Sequence, residues 1–186
     1  MTKNQLKLNN DKTEALLFSL KHSTVSLPDL VTLGSNNILF SDSARNLGLI
    51  PDSELSMNKH IIKIGQTAYF RLKHISSICR FLTEDGAKTC YFLYISSHSL
   101  TTATVLIGTP NSVIQPLQKN QNFAARLVLL APRHHHSTPL LEKLYWFPIS
   151  ERIKYKVACM CFTAINGSGP AYLSDLLHSA SYTMFF

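Results

Sequence analysis

The chain has 186 residues, a net charge of +7 and 45% hydrophobic residues. That hydrophobic share excludes a disordered chain, and the length bounds it to one or two domains. The basic balance points to a polyanionic partner, and the lack of an apolar signal core or a membrane-length apolar run leads to the expectation of an intracellular, non-secreted chain away from membranes.

Residues 1–55 carry short apolar runs, among them Ala15–Phe18, Leu30–Leu33, Ile38–Phe40 and Leu47–Ile50. They are punctuated by Asn9-Asn10-Asp11, Pro28-Asp29 and Gly34-Ser35-Asn36-Asn37. This pattern predicts three or four short strands, with Asn36-Asn37 at a hairpin tip. So few strands do not build their own core, so the region reads as the end of something larger.

From Ser56, a plausible N-cap, the period becomes helical. Ile61, Ile64, Ala68, Leu72, Ile75 and Cys79 form an apolar stripe, and Lys59, Lys63, Gln66, Lys73, Ser77 and Arg80 a basic one. Thr83 is set to cap the next helix, with Glu84 and Asp85 in the first turn, where the helix dipole favours carboxylates. A third helix is predicted over Ser112–Leu130, with Ile114, Leu117, Gln121, Ala124, Ala125 and Val128 inward. A loop follows over Pro132–Pro139, then a helix capped by Ser150 and running to about Asn166, with Val157, Cys161 and Phe162 inward. Gly167-Ser168-Gly169-Pro170 stops it, and a short helix over Ala171–His178 follows. The fold class expected is α+β, mostly α, with a few N-terminal antiparallel strands.

Metal and nucleophile signals are weak. Cys79, Cys90, Cys159 and Cys161 form no C-x-x-C pair and fit free thiols in a reducing compartment. The adjacent His134, His135 and His136 do not converge on one ion in a regular element and read as a solvated loop. Asp11, Asp29, Asp42 and Asp52 are scattered among turns, so no acidic cluster is placed to hold two magnesium ions for nucleotidyl transfer.

The most informative run is Thr138-Pro139-Leu140-Leu141-Glu142-Lys143-Leu144-Tyr145-Trp146-Phe147-Pro148-Ile149, with Arg152-Ile153 and Tyr155-Lys156 behind it. It resembles the TPxLxxLHWLPIxxRIxYK signature downstream of the reverse transcriptase core in vertebrate LINE-type (non-LTR) retrotransposons. Further segments agree in order. Leu117-Gln118 with Gln121-Asn122-Phe123-Ala124-Ala125-Arg126-Leu127 resembles LQxxQNAAARL, and Pro170-Ala171-Tyr172-Leu173 resembles PxYLxxLL. Leu8-Asn9 with Lys12-Thr13-Glu14 resembles polymerase motif D. Asn46-Leu47-Gly48-Leu49 with Asp52, Leu55 and His60-Ile61 resembles the motif E or primer-grip region. The likeness covers about residues 6–177. Departures occur as well. Ser97–Leu106 stands where the family has SRLDYCNSLL, with His98, Leu100 and Ala103 replacing its Arg, Asp and Asn, and Tyr145 and Phe147 replace a His and a Leu. Such drift, with ends that read as those of a truncated frame, fits a decaying element copy.

The resemblance implies that residues 1–55 are the end of a palm, 56–130 a helical thumb and 131–186 a post-thumb helical segment. It places the family's catalytic aspartates upstream of motif D, so no catalytic residue and no metal ligand is carried over. The parent enzyme's Mg2+ would be held by residues not present here. Lys12 matches the motif D lysine, which is placed near the departing pyrophosphate, where negative charge builds. The expected function is to hold a template–primer duplex, RNA or RNA–DNA, without polymerase activity. Lys59, Lys63, Lys73 and Arg80 would touch phosphates, with Lys12, Arg126, Arg152, Lys154 and Lys156 as further nucleic-acid-binding candidates. A solvated basic face is the alternative for these cations. Trp146, with Tyr145 and Phe147, is assigned to packing of an elbow between helices rather than to base stacking. Two other readings stay open: a helical protein-interaction module, self-associating through an exposed strand edge, and a transposon remnant with no function.

Overall fold

The computed structural model describes residues 9, 13–19, 30–33, 36–92, 103–175 and 177. The chain divides into two compact units, Met1–Lys63 and Ile64–Phe186. The fold class is α+β and mostly helical, with one small antiparallel sheet near the N-terminus.

In the first unit, β1 (Leu30–Leu33) pairs with β2 (Asn36–Leu39), with Leu33 opposite Asn36. Asn36 and Asn37 therefore lie in a strand, not at the hairpin tip that their type suggested. The Thr32 hydroxyl bonds the Asn37 side chain at 2.9 Å across the pair. The other strand signals give only isolated bridges among the described residues: Ala15 with Phe40, Ser43 with Asp52, and Asn46 with Leu49. Asn46 and Leu49 exchange backbone bonds of 2.9 and 2.8 Å around Leu47-Gly48. Both turn residues have positive φ, 48° and 87°, as a type I′ turn requires. Helix α1 (Asn58–Ile78) starts two residues after Ser56. Ser56 donates its hydroxyl to Asp52 Oδ2 at 2.6 Å, and its oxygen accepts from the Asn58 N–H at 3.4 Å. The expected cap thus acts from outside the helix.

The second unit is built from the remainder of α1, α2 (Glu84–Tyr91), α3 (Asn111–Val128), α4 (Ser137–Lys143), α5 (Ile149–Ile165) and α6 (Ala171–Asp175). The α1 stripe is correct: Ala68, Leu72 and Cys79 are buried, with Ile75 packed against them. All six predicted α3 positions are buried as well. One core joins Ala68, Leu72, Cys79, Ala124, Ala125 and Val128 to Ala87, Tyr91, Leu141, Leu144 and Trp146. Thr83 caps α2 by accepting from the Gly86 N–H at 3.2 Å. Lys88 meets the first-turn carboxylate of Glu84 at 2.8 Å.

Small residues set the approach of α1 to α3. A Cβ on Gly65 would lie 3.6 Å from Pro116 Cβ, and the Asn120 amide donates to the Gly65 carbonyl at 2.8 Å. Further along, the Tyr69 and Phe123 rings sit 5.9 Å apart, and the Cys79 thiol reaches the Leu127 carbonyl.

Three helices end in the same way. Ala131, Trp146 and Ser168 donate to carbonyls five residues back, and Leu130, Tyr145 and Gly167 to carbonyls three back. This is the Schellman pattern, with a left-handed residue at the turn. Gly167 takes that position freely, and the Gly167-Ser168-Gly169-Pro170 stop ends the helix as expected. Leu130 and Tyr145 hold φ of 48° and 55°, a conformation costing a non-glycine residue about 1–2 kcal/mol.

Other boundaries differ from the sequence reading. Helix α4 begins inside the expected Pro132–Pro139 loop, and its Pro139 sits in the first turn, where a missing N–H is tolerated. Helix α5 begins at Ile149 with Pro148 before it, so Ser150 lies within the first turn and is not the cap. Along α5 the buried residues are Ile149, Ile153 and Ala164, while Val157 and Cys161 are half-buried and Phe162 is exposed. Phe162 falls one residue past the inward face, and a step of about 100° carries it into solvent. Of the stretch Ala171–His178, Ala171–Asp175 is helical, and Leu176 and His178 lie outside the described residues. Ala103–Leu106 forms a 3-10 turn, and residues 93–102 likewise lie outside the described residues.

Because a Cβ on Gly65 meets only ordinary contact distances, Gly65→Ala is expected to raise stability by about 0.5–1 kcal/mol through reduced unfolded-chain entropy. Thermal unfolding followed by circular dichroism checks this, and a fall in stability would show that the α1–α3 approach tolerates no methyl group.

Candidate nucleic-acid interface

The joint between α3 and α5 is held by amide side chains. Pro148 precedes α5 and offers no side-chain acceptor to the helix's first N–H groups. Gln118 supplies it from α3: its Oε1 accepts from the Ile149 N–H at 2.8 Å. Gln121 donates to the Phe147 carbonyl at 2.8 Å and is only 1% exposed. The Gln118 amide also donates to Gln121 Oε1 at 3.0 Å and to Asn122 Oδ1 at 2.8 Å. Thus Gln118 and Gln121 clasp the backbone on both sides of Pro148, and Asn122 holds the Gln118 amide in place. These are residues of two segments that carry the family resemblance.

The clasp and the left-handed Tyr145 split the aromatic run. Trp146 is buried, with 7% exposure, and stacks on Tyr91 with centroids 4.1 Å apart and planes 20° from parallel. Phe92 meets it edge-on at 5.9 Å. Its neighbours turn the other way: Tyr145 is 93% and Phe147 60% exposed. The packing role expected for the run belongs to Trp146 alone. Burial pushes the Tyr91 hydroxyl up, and the positive charge of the nearby Arg152 opposes this.

The predicted cations fall into distinct settings. Lys12 lies outside the described residues. Lys59 and Lys63 are exposed in the first unit, and Lys59 Nζ reaches the Ser43 hydroxyl at 3.3 Å. Lys73 and Arg80 are exposed in the second, with the Arg80 guanidinium 5.2 Å from the Phe81 ring centroid. Arg126 is a structural clamp: it donates to the His135 carbonyl at 3.0 and 3.3 Å and to the Asn122 carbonyl at 3.2 Å. It therefore ties down the exposed histidine loop. Lys154 pairs with Glu151 at 3.0 Å on the exposed side of α5. Arg152 and Lys156 are half-buried beside the outward aromatics, and line one cavity with Tyr145, Phe147 and Tyr155.

The motif E-like segment has local structural work. Asp52 accepts from the Ser56 N–H at 2.6 Å as well as from its hydroxyl. His60 Nδ1 accepts from the Ile50 N–H at 3.3 Å, and burial pushes this imidazole below the usual histidine range. Among the described residues no group of three His, Cys, Asp or Glu side chains could hold a metal ion. Nor is any helix among them long and apolar enough to cross a membrane.

Sequence reasoning missed the Gln118–Gln121 clasp and the role of Tyr91. Glutamines on a buried helix face were the available signal, because a buried amide demands partners. No family model, curated protein or solved structure matches this chain.

Gln121→Leu leaves the Phe147 carbonyl without its buried donor and is expected to cost about 1–3 kcal/mol. Lys154→Ala removes only an exposed ion pair and is expected to cost under about 1 kcal/mol. Urea unfolding followed by Trp146 emission distinguishes them; equal costs would mean that the clasp contributes no net stability.

Proposed function

We propose that this chain is a segment of a LINE-type reverse transcriptase, from the region that follows the polymerase active site. On this reading it holds template–primer nucleic acid and performs no nucleotide transfer by itself. The observation that carries the reading is the joint at Pro148. Two segments with family-like sequence, Gln118–Asn122 and Tyr145–Ile149, meet through hydrogen bonds, so their residue types answer to one another. The exposed cations along α1 support a phosphate-tracking role. Lys59, Lys63 and Lys73 recur at helical spacing and face solvent, and such contacts are independent of base sequence.

Binding to an RNA–DNA duplex is expected at low salt. With about three phosphate contacts, the slope of log K against log salt should be near −3. Lys63→Glu with Lys73→Glu should weaken binding at least tenfold and lower the slope by about two. Primer extension with magnesium and deoxynucleotides should give no product. Product formation would overturn the non-catalytic reading, and absence of duplex binding at low salt would overturn the holding role.

A second reading rests on the hairpin, where Leu30, Val31, Leu33 and Leu39 are all exposed. Such a strand pair favours self-association. Sedimentation that stays monomeric across a hundredfold concentration range would remove it.

A further inference from the structure

We infer that the cavity between the outward aromatics and α5 takes an unstacked base of a single-stranded nucleic acid, with the adjoining phosphate held by Arg152 and Lys156. The inference deepens the nucleic-acid reading above and rests on it for the ligand class. The cavity has a volume of about 430 Å³, within the ordinary size range of small-ligand sites. Its walls include Phe92, Tyr145, Phe147 and Tyr155 together with the two cations, and Trp146 and Cys159 line it as well. Among the described residues no carboxylate lines it.

Three features select this ligand. First, Tyr145, Phe147 and Tyr155 are presented outward. Tyr155 is 64% exposed, and its ring lies near parallel to that of Phe147, with centroids 6.2 Å apart and planes at 27°. Flat, roughly parallel and solvent-facing rings form a stacking platform, and every base has a face to place on one. Secondly, Arg152 and Lys156 stand one helical turn apart on α5, bordering the cavity beside those rings. Thirdly, Tyr145 keeps an aromatic ring almost wholly in water at a left-handed position where glycine would sit without strain. A paired base is locked within its stack, so only single-stranded or splayed bases can reach such a platform. The cationic wall and the net charge of +7 favour a polyanion over an apolar peptide.

Trp146 is the only tryptophan in the chain and lines this cavity, so its fluorescence reports occupancy. The full chain is titrated with a single-stranded oligouridylate, with an RNA–DNA duplex of equal length and with a polyproline peptide. The single strand is expected to quench Trp146. Phe147→Ala and Tyr155→Ala should each weaken its binding about tenfold, and Tyr155→Phe, which keeps the ring, should bind as the unaltered chain does. Both alanine changes should alter duplex affinity less than twofold, whereas Lys63→Glu with Lys73→Glu should do the reverse. Unchanged far-UV circular dichroism verifies that these exposed-ring variants fold. Single-strand affinity that survives both alanine changes would overturn the pocket while leaving the duplex-holding role standing. Ring-dependent single-strand binding without duplex binding would support the pocket and overturn that role. Quenching by polyproline and not by the oligonucleotide would make this a peptide site and overturn the inference.

Discussion

The second unit depends on a clasp between amide side chains of α3 and the backbone around Pro148. Pro148 ends the α4–α5 connection but cannot cap the helix that follows it. The first N–H of α5 would otherwise need water. Gln118 satisfies it, and Gln121, nearly inaccessible, bonds the carbonyl just before the proline. Because buried amides are costly without partners and specific with them, the pair sets where α5 begins relative to α3.

That constraint propagates to the aromatics. The Schellman turn at the end of α4 reverses the chain at Tyr145, and the clasp catches it at Phe147. Between those two points Trp146 has one place to go, into the core on Tyr91. Tyr145 and Phe147, one residue to either side, are left outside. One continuous run of aromatic sequence thereby yields a core anchor and a solvent-facing platform, with Arg152 near both: its charge acts on the Tyr91 hydroxyl and its side chain lines the outward cavity.

The first unit follows a different logic. Among the described residues, turn chemistry supplies much of its order. The Leu47-Gly48 turn, the Asp52–Ser56 bonds and the His60 contact to the Ile50 N–H are short-range devices that satisfy backbone groups. The residue types that suggest a primer-grip segment are here also the ones that such turns require. Their likeness to the family therefore carries less weight than the meeting of Gln118–Asn122 with Tyr145–Ile149, where neither segment explains its composition alone.

The sequence by itself determined the fold class, the buried stripes of α1 and α3, the Thr83 cap and the glycine turn after α5. Each rests on helical period or on bonds within a few residues, so the signal is local. The sequence could not place the start of α5, because its cap comes from a glutamine 31 residues away. Nor could it show that Arg126 is spent on the histidine loop, or that Tyr145 would occupy a left-handed position with no glycine to announce it. The hairpin tip was misplaced because asparagine suits a turn and is also accepted in a short, exposed strand. Tertiary structure alone divided the aromatic run into an inward tryptophan and outward neighbours. That division depends on where two distant segments hold the backbone, and side-chain identity carries no record of it.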